Sequence, residues 1–463
     1  MSNLATTPQE LASYLEAFTE FSRRAPGANQ GWLRKLREDA FARFCEAGFP
    51  TTHDEDWRFT NVSAIAQTAF RLPAADAEVT ANQMEAYRLA GAACQLVFVN
   101  GRFDPKLSSV SALPKGVSAG SLAQEISRNP GALERHLGRY LAVQRDVFCA
   151  LNTAFLEDGA YVHVSKGTVL EGPIYLLFLT TSSRAPVMTH PRNLVIAEED
   201  SQTTVVEDYV SLGGGVAFSN AATELVAGEH SVISHYLIER EHAEAYNVST
   251  LRLQQARSAS VASHSVLLGG GLVRNNVHPV LAGEGADCLI NGLFIGNGRQ
   301  HMDNYMLVEH ASPHCGSRQF YNGILDGHSR GVFHGRIIVH KDAQKTDAKQ
   351  TNRNLLLSDD AQIDTKPQLE IYADDVKCTH GATIGQIEED ELFYLRSRGI
   401  DLAAARRLLL FAFASECLER MKPGPVRACV EDLVNEWLFN IKPGTPGSGN
   451  GPRDGAMHWE EVG

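Results

Sequence analysis

The chain has 463 residues with an apolar content of 43%, enough for several domains or for one long repeat body. Lysine and arginine number 42 against 55 aspartates and glutamates, the formal net charge is −13, and no Lys/Arg-rich tract occurs, so nucleic-acid binding through phosphate neutralisation is not expected. No apolar run reaches the length of a membrane span, and the N-terminus MSNLATTPQELASYLEAF has no basic segment followed by an apolar core, so we expect no membrane association and a cytoplasmic location.

The first third of the chain, residues 1–155, is predicted to be helical and then mixed. Leu11, Leu15 and Phe18 recur at helical spacing. A polar, aromatic segment, DEDWRFTNV, follows the helical stretch. Residues 96–100, LVFVN followed by glycine, predict a short strand and a turn.

Residues 156–388 change in character, because short β-branched or aliphatic runs are cut by small polar turns. The turns resemble one another, as in AEEDS at Ala197, AGEHS at Ala227 and DGHSR at Asp326. Early turns recur roughly every 26 to 30 residues and later ones roughly every 14 to 18, so two later steps make one early step. This irregular repeat favours a solenoid of parallel strands over the alternative, a two-sheet antiparallel sandwich.

The helical period returns after the repeats. Gly399 is a predicted helix stop, and Asp401 is the predicted N-cap of a helix over 402–421. A KPGP segment separates this helix from a last one at 426–439. These patterns predict four regions: an N-terminal helical and mixed domain (1–155), a β-helix core (156–388), a C-terminal helical domain (389–441) and a disordered Gly/Pro-rich tail (442–463).

The eight cysteines are scattered and form no CxxC pair, which argues against a disulfide framework or a zinc-ribbon site. Most are expected to be buried small hydrophobic residues. Cys315 and Cys378 differ from the others because each lies close to a histidine along the chain.

The tetrapeptide CTHG places Cys378 and His380 two residues apart, so on a strand both side chains face the same side. Thiolate and imidazole both suit iron or zinc, and the neighbouring Lys377 is expected to favour the thiolate. Two ligands hold a metal poorly, so others would come from elsewhere in the fold or from another chain. The alternative is a buried cysteine and a surface histidine at a strand end.

Other polar residues in the repeats suggest two further kinds of site. Six histidines fall within 40 residues of the repeats: His301, His310, His314, His328, His334 and His340. If successive coils stack, some of them could form a ladder or a metal-binding patch. The alternative is that each histidine is exposed or buried on its own and is satisfied by hydrogen bonds. Corner carboxylates suggest acid–base work like that of a β-helix carbohydrate-active enzyme, although turn stabilisation explains them better: Asp359, Asp360, Asp374 and Asp375.

The C-terminal helix ARRLLLFAFASECLERM is apolar over much of its surface. Either it packs on the β-helix or it offers a face to a partner protein, and the spacing leaves both possibilities open.

The segment 346–385, with YLRSRGI and the ARRLLLFAF helix, resembles the signature region of the SufB/SufD family of iron–sulfur cluster assembly proteins. The resemblance extends more weakly through DEDWRFTNV and over most of the chain. Within the family the chain is similar to the SufD branch, because it lacks the extra cysteines and longer insertions expected of SufB. The resemblance implies a mainly β fold, with a right-handed parallel β-helix core flanked by N-terminal and C-terminal α-helical domains.

The resemblance also implies a non-catalytic subunit of an ATP-driven assembly complex. Such a subunit pairs with a SufB-like paralogue through the β-helix ends, binds the ATPase SufC through its C-terminal helices, and can form a homodimer in isolation. ATP-driven SufC dimerisation is then expected to rearrange the interface and expose a nascent iron–sulfur cluster site.

The family histidine and cysteine of that interface map to His380 and Cys378, which leaves the remaining cluster ligands to the partner chain. The SufD branch is linked to iron acquisition and the complex to reduced flavin, although this sequence shows no flavin motif. Four residues are expected to contribute to the SufC dock: Arg406, Arg407, Phe411 and Glu416. The alternative within the family is a SufB-like chain that itself holds the cluster.

Overall fold

The structure, a computed structural model, describes residues 8–74, 79–110, 113–181 and 185–440. A 3₁₀ turn at Glu55–Trp57 lies between the second and third helices. The helices are α1 (Pro8–Arg24), α2 (Gly31–Ala47), α3 (Ser63–Gln67), α4 (Ala81–Glu85), α5 (Leu122–Arg128), α6 (Pro130–Leu133), α7 (Val147–Ala154), α8 (Glu389–Ser397), α9 (Leu402–Leu418) and α10 (Pro425–Asn440). None of the helices in these ranges is long and apolar enough to cross a membrane.

The strands build two sheets, which are named here sheet I and sheet II. Sheet I runs in the order β2-β1-β5-β8-β10-β12-β14-β16-β18-β20, and sheet II in the order β19-β17-β15-β13-β11-β9-β7-β4-β3, with β6 also paired to β9. The strands are β1 (Cys94–Val99), β2 (Arg102–Phe103), β3 (Val117–Ser121), β4 (Ala160–Val164), β5 (Ile174–Thr181), β6 (Val187–Thr189), β7 (Arg192–Ala197), β8 (Gln202–Leu212), β9 (Ala217–Ala227), β10 (Val232–Arg240), β11 (Ala245–Gln255), β12 (Ser260–Leu267), β13 (Leu272–Leu281), β14 (Asp287–Gly296), β15 (His301–His310), β16 (Gly316–Leu325), β17 (Arg330–Val339), β18 (Asp347–Leu356), β19 (Gln362–Ile371) and β20 (Lys377–Gly385).

From β7 to β20 the main strand path alternates between the two sheets, so the chain winds as a parallel solenoid. Val232 pairs with Ser260 one coil on, 28 residues later. The predicted solenoid is therefore confirmed, and the antiparallel sandwich is wrong because the coil-to-coil pairing is parallel. Antiparallel pairs occur at the end of the sheets that lies away from β19 and β20, between β1 and β2 and between β3 and β4.

The repeated polar turns are the corners of the coils. His230 has a φ of 58° and donates its N–H to Arg257 O of the next coil at 3.0 Å. Ser258, with a φ of 54°, does the same to Glu284 O at 2.9 Å. Many of the corners hold one residue in the left-handed conformation, which polar or small residues tolerate best, so their sequences resemble one another. Each coil has two corners, one after each of its two strands. Two of the shorter intervals between the later turns therefore add up to one of the longer intervals between the early turns.

The interior between the sheets is apolar and closely packed. Large side chains of one coil occupy the space that glycines leave in the next. A Cβ added to Gly292 would lie 2.1 Å from the ring of Tyr321, whose hydroxyl reaches Ser265 at 3.1 Å. Coil-to-coil stacking thus sets which positions must be glycine.

Helices cover the outer faces of both sheets. On sheet I, Leu410 and Val430 of α9 and α10 pack with Leu293 of β14. Asn322 also donates to Phe413 O at 2.8 Å, which ties α9 to β16. On sheet II the cover is the N-terminal part of the chain, where Phe148 packs with other residues on that face. The C-terminal helix is thus bound to the solenoid along one side.

Several local predictions can be compared directly with the fold. The strand expected at 96–100 is present as β1, which pairs in parallel with β5 and so belongs to sheet I. Asp401 caps α9 by accepting from Ala404 N at 2.9 Å, and Gly399 has a φ of 88° after α8, so both predicted signals are confirmed. α9 ends at Leu418, three residues before the predicted end. The tail predicted to be disordered lies outside the described residues.

Two buried carboxyls, Glu239 and Glu241, lie together at the end of β10. Glu239 Oε1 accepts the Glu241 N–H at 2.9 Å, and Glu241 accepts from Ser219 Oγ and Asn247 Nδ2, both at 2.7 Å. The structure gives these carboxyls no cationic hydrogen-bond or ion-pair partner among the described residues. Burial raises the pKa of both groups, and for Glu239 the charge of Glu241 raises the pKa further.

Replacing Glu239→Gln should stabilise the protein at neutral and alkaline pH. The ordinary pKa of a glutamate carboxyl is 4.5, and that of Glu239 is raised in the folded protein. Its contribution to the free energy of unfolding is therefore greatest below pH 4.5. This contribution is lost as the pH rises through the folded-state pKa. Glutamine imitates the protonated form, so in urea unfolding from pH 5 to 9 the free energy of unfolding of the variant minus that of the parent should grow with pH. Glu244→Gln, which changes an exposed carboxyl, is the control; a constant difference for Glu239→Gln would contradict the assignment.

Candidate functional site

The last coil of the solenoid has no further coil against it among the described residues. Strand β20 pairs only with β18, and β19 only with β17, in the part of the chain that is described. Neither strand contains a fully buried residue. Large apolar side chains remain exposed here: Tyr372 is 63% exposed, Ile384 52% and Ile371 42%. We call this coil the open end.

Cys378 and His380 both lie on β20 at the open end. Cys378 pairs in register with Ala348 and packs against the interior core, and His380 pairs with Gln350. The Nδ1 atom of His380 is buried and has no hydrogen-bond partner in the described part of the chain. The prediction that the thiol and the imidazole share one strand face is confirmed, and that face is the interior one.

The environment of the Cys378 thiol favours its protonated form. Burial raises the pKa of Cys378, the Asp347 carboxylate on the neighbouring coil also raises it, and a backbone hydrogen bond from Ala348 lowers it only partly. The expectation that Lys377 favours the thiolate is therefore wrong. Adjacent residues on a strand face opposite sides, so Lys377 points away from the interior while the thiol points into it.

The open end offers at most part of a metal site. In the ranges that the structure describes, no three His, Cys, Asp or Glu side chains are grouped to hold a metal ion. The predicted histidine metal patch is wrong, because no such group forms among the described residues. His340 donates its N–H to His310 O at 3.0 Å, but their rings have different partners: His310 bonds Ser317 Oγ at 2.9 Å inside the solenoid, and His340 lies 3.5 Å from Glu309. The alternative, histidines accommodated one by one, holds.

The four residues predicted for the dock on α9 have different surroundings. Glu416 pairs with Arg353 of β18 at 2.6 Å, and Phe411 packs against the outer face of sheet I. Arg407 lies over the Phe439 ring at 5.2 Å, and Arg406 buries its Nε atom without a partner among the described residues. Glu416 and Phe411 thus hold α9 on the solenoid, whereas Arg407 lies near the exposed ring of Phe439.

Exposed apolar residues that the sequence analysis did not single out lie on α8 and α9. Phe393 is 75% exposed, and Tyr394 and Leu408 are also largely exposed. Glu389, Asp390 and Glu391 form the first turn of α8, which has no buried residue. The signal was visible as two adjacent aromatic residues after an acidic run, but only the fold shows that nothing in the described chain covers them.

Comparison with known proteins identifies the family. The family described as SUF system FeS cluster assembly, SufBD core domain matches residues 178–413, and the SufBD protein N-terminal region matches residues 9–176. The chain belongs to the SufBD family of iron–sulfur cluster assembly proteins. The resemblance inferred from the signature segment is therefore confirmed.

Similar proteins cover nearly the whole chain. An iron–sulfur cluster assembly SufBD family protein of Synechocystis sp. is 34% identical over 91% of this chain and 95% of its own. The iron–sulfur cluster assembly protein SufD of Escherichia coli is 32% identical over 96% of this chain and 99% of its own. SufD of Bacillus subtilis is 23% identical over 93% and 97%. The SufBD match therefore includes both the solenoid and the helices around it.

Cys378 should react slowly with iodoacetamide at neutral pH, because only the thiolate attacks. We expect its alkylation rate, followed by mass spectrometry of the tryptic peptide, to reach half of its maximum above the ordinary thiol pKa of 9.0. The same peptide alkylated in urea gives the unperturbed reference. Asp347→Asn should lower the midpoint; a midpoint in the folded parent at or below that of the same peptide in urea would contradict the assignment.

Proposed function

We propose that this chain is a non-catalytic, SufD-like subunit that pairs through the open end with a SufB-like paralogue and contributes His380 to an iron–sulfur cluster site shared between them. The observation that carries the proposal is the combination of unpaired strand edges and inward-facing metal-ligand side chains on the same last coil. Unpaired parallel strands bind another strand readily, because their N–H and C=O groups lack partners on one side.

The cluster is cargo of such a complex, and this chain supplies only part of its ligand set. His380 fits the role of ligand because its Nδ1 is buried and unpartnered, so a bound iron would satisfy it. Cys378 would have to lose its proton on binding iron, which a metal brings about by stabilising the thiolate. The remaining ligands are proposed to come from the partner. Iron acquisition belongs to the same proposal, and reduced flavin is assigned to no residue of this chain.

The C-terminal helices are proposed to dock a SufC-like ATPase. Two features support this: α8 presents exposed Phe393 and Tyr394 beside three acidic residues, and α9 keeps Leu408 exposed on the side away from sheet I. Rigid attachment of α9 to β16 and β18 would transmit an ATP-driven movement to the neighbouring coils. In this proposal the docking face consists of Phe393, Tyr394 and Leu408 together with Arg406 and Arg407. Phe411 and Glu416 contribute indirectly, because they hold α9 against sheet I.

The second candidate within the family is a SufB-like chain that holds a cluster by itself. Anaerobic reconstitution with iron and sulfide distinguishes the two, because stable cluster absorbance from the isolated chain would favour the SufB-like alternative.

The carbohydrate-active enzyme is not proposed, because corner carboxylates have local partners: Asp360 lies 3.6 Å from His328, and Asp375 pairs with Lys345.

His380→Ala should lower cluster maturation by the assembled complex while subunit assembly stays intact. Removing an imidazole that points into the interior deletes a ligand but leaves the strand edges unchanged. Cluster transfer to an apo-acceptor protein measures cluster maturation, and size-exclusion chromatography with light scattering measures subunit assembly. The matched control is His242→Ala, an exposed histidine at the corner between β10 and β11. Normal maturation by the His380 variant would refute its role as a ligand.

Leu408→Asp should weaken binding of the ATPase at least tenfold, since a charge replaces an exposed apolar side chain of the proposed docking face. A point substitution tests this better than truncation after Ile400, which would also uncover the outer face of sheet I. Titration calorimetry with the purified ATPase gives the affinity. Leu15→Asp, at an equally exposed leucine on α1, is the control. Equal affinities for parent, variant and control would overturn the dock.

A further inference from the structure

The segment Glu55–Thr60, named here the docking segment, lies across the outer face of sheet II. Thr60 Oγ1 donates to Asp303 Oδ2 at 2.5 Å and lies 2.9 Å from His301 Nε2, both on β15. Glu55 accepts from Lys366 Nζ at 2.9 Å, on β19 at the open end. This part of DEDWRFTNV, which the proposed function does not use, therefore connects the N-terminal helices to the last coils of the solenoid.

Arg274 of β13 lies at the centre of this contact. Its guanidinium lies 3.8 Å from the Trp57 ring centroid and 4.8 Å from that of Tyr305, and it pairs with Asp303 at 2.5 Å. Both members of the ion pair are almost completely buried. A buried cation between two rings is attracted to their faces, but it also repels any second positive charge placed beside it.

Two neutral imidazoles lie beside this cation. His334 of β17 is buried, meets the Tyr305 ring edge-on at 4.9 Å, and has no partner for Nε2 among the described residues. His301 contacts Thr60 of the docking segment. Protonation of either ring would place a new charge in a dry contact.

The charges facing the imidazoles come from several elements. The pKa of His334 is lowered to about 4, mainly by burial and in smaller part by the charges of Lys366 and Arg274, while Asp56 and Asp303 oppose the shift. Burial likewise lowers the pKa of His301; Arg330 and Arg274 act in the same direction, and Asp303 and Asp364 oppose it. For both rings burial has the largest effect.

We propose that the docking segment is a pH-sensitive latch, which seats the N-terminal part of the chain on the last coils at neutral pH and releases it when His301 and His334 take up protons. Release exposes the imidazoles to water, where they accept protons at their ordinary pKa. The latch ends on β19, so its release frees one face of the coil at the open end.

The size of the effect follows from linkage. His334 has a pKa of about 4 when seated and an ordinary value of 6.5 when released. Its protonation alone should therefore shift the seating equilibrium about tenfold towards release between pH 7.5 and 5.5. The sign is fixed: a depressed histidine pKa makes seating strongest above pH 6.5, and seating is lost as pH falls towards 4. His301 adds a shift in the same direction.

The fluorescence of Trp57 tests the latch in the full chain. With Trp32, Trp437 and Trp459 replaced by phenylalanine, emission should move to longer wavelength between pH 7.5 and 5, reversibly, while far-UV circular dichroism keeps its β signal. The double variant His301→Gln and His334→Gln keeps polar side chains that do not titrate in this range, and its emission should hold to lower pH. His328→Gln, at an exposed corner, should behave as the parent does.

Two results would overturn the proposal: release of the double variant at the same pH as the parent, or parent emission that changes only together with the loss of β signal. If the double variant does not fold, Thr60→Val tests the latch instead. This substitution removes the contacts of Thr60 with His301 and Asp303 and so weakens the seated state, and the pH midpoint of release should therefore move to higher pH. An unchanged midpoint for Thr60→Val would also overturn the latch.

Discussion

The structure depends on the way a parallel coil satisfies its backbone hydrogen bonds. Each strand of the solenoid bonds to the strand one coil before and the strand one coil after, so a coil is complete only between two neighbours. At the N-terminal end, the antiparallel strands β2 and β3 complete the two sheets. At the other end β19 and β20 lack this completion within the described chain, and this is why the open end is the natural place for a partner.

The same winding requires cover on two outer faces. Both sheets carry apolar residues outside as well as inside, so helices from the two ends of the chain pack against them. Some of the buried charges in these contacts form ion pairs, because an unpaired buried charge is costly. Arg192 and Glu224, for example, are fully buried and bond at 2.8 Å. The Arg274–Asp303 pair beneath the docking segment follows the same rule, with imidazoles beside it that are buried in neutral form.

The candidate site illustrates how far local pattern reaches. The spacing of Cys378 and His380 was enough to predict a shared strand face, since side chains alternate along any strand. It could not predict the protonation of the thiol, because Asp347 comes from the neighbouring coil and Lys377 points the opposite way. Likewise Glu416 looked available for a partner on its helix, yet it pairs with Arg353 of β18 across 63 residues.

The sequence by itself determined the repeating corners, the end of α8 and the N-cap of α9, because a left-handed turn residue or an N-cap aspartate acts within a few residues of its own position. It also carried the family signature. Only the tertiary structure decided which face of each strand is interior, which coil is left open, and that Thr60 meets Asp303, 243 residues away. Such contacts depend on the register of stacked coils and on packing of distant segments, and neither is encoded in the local spacing of residues.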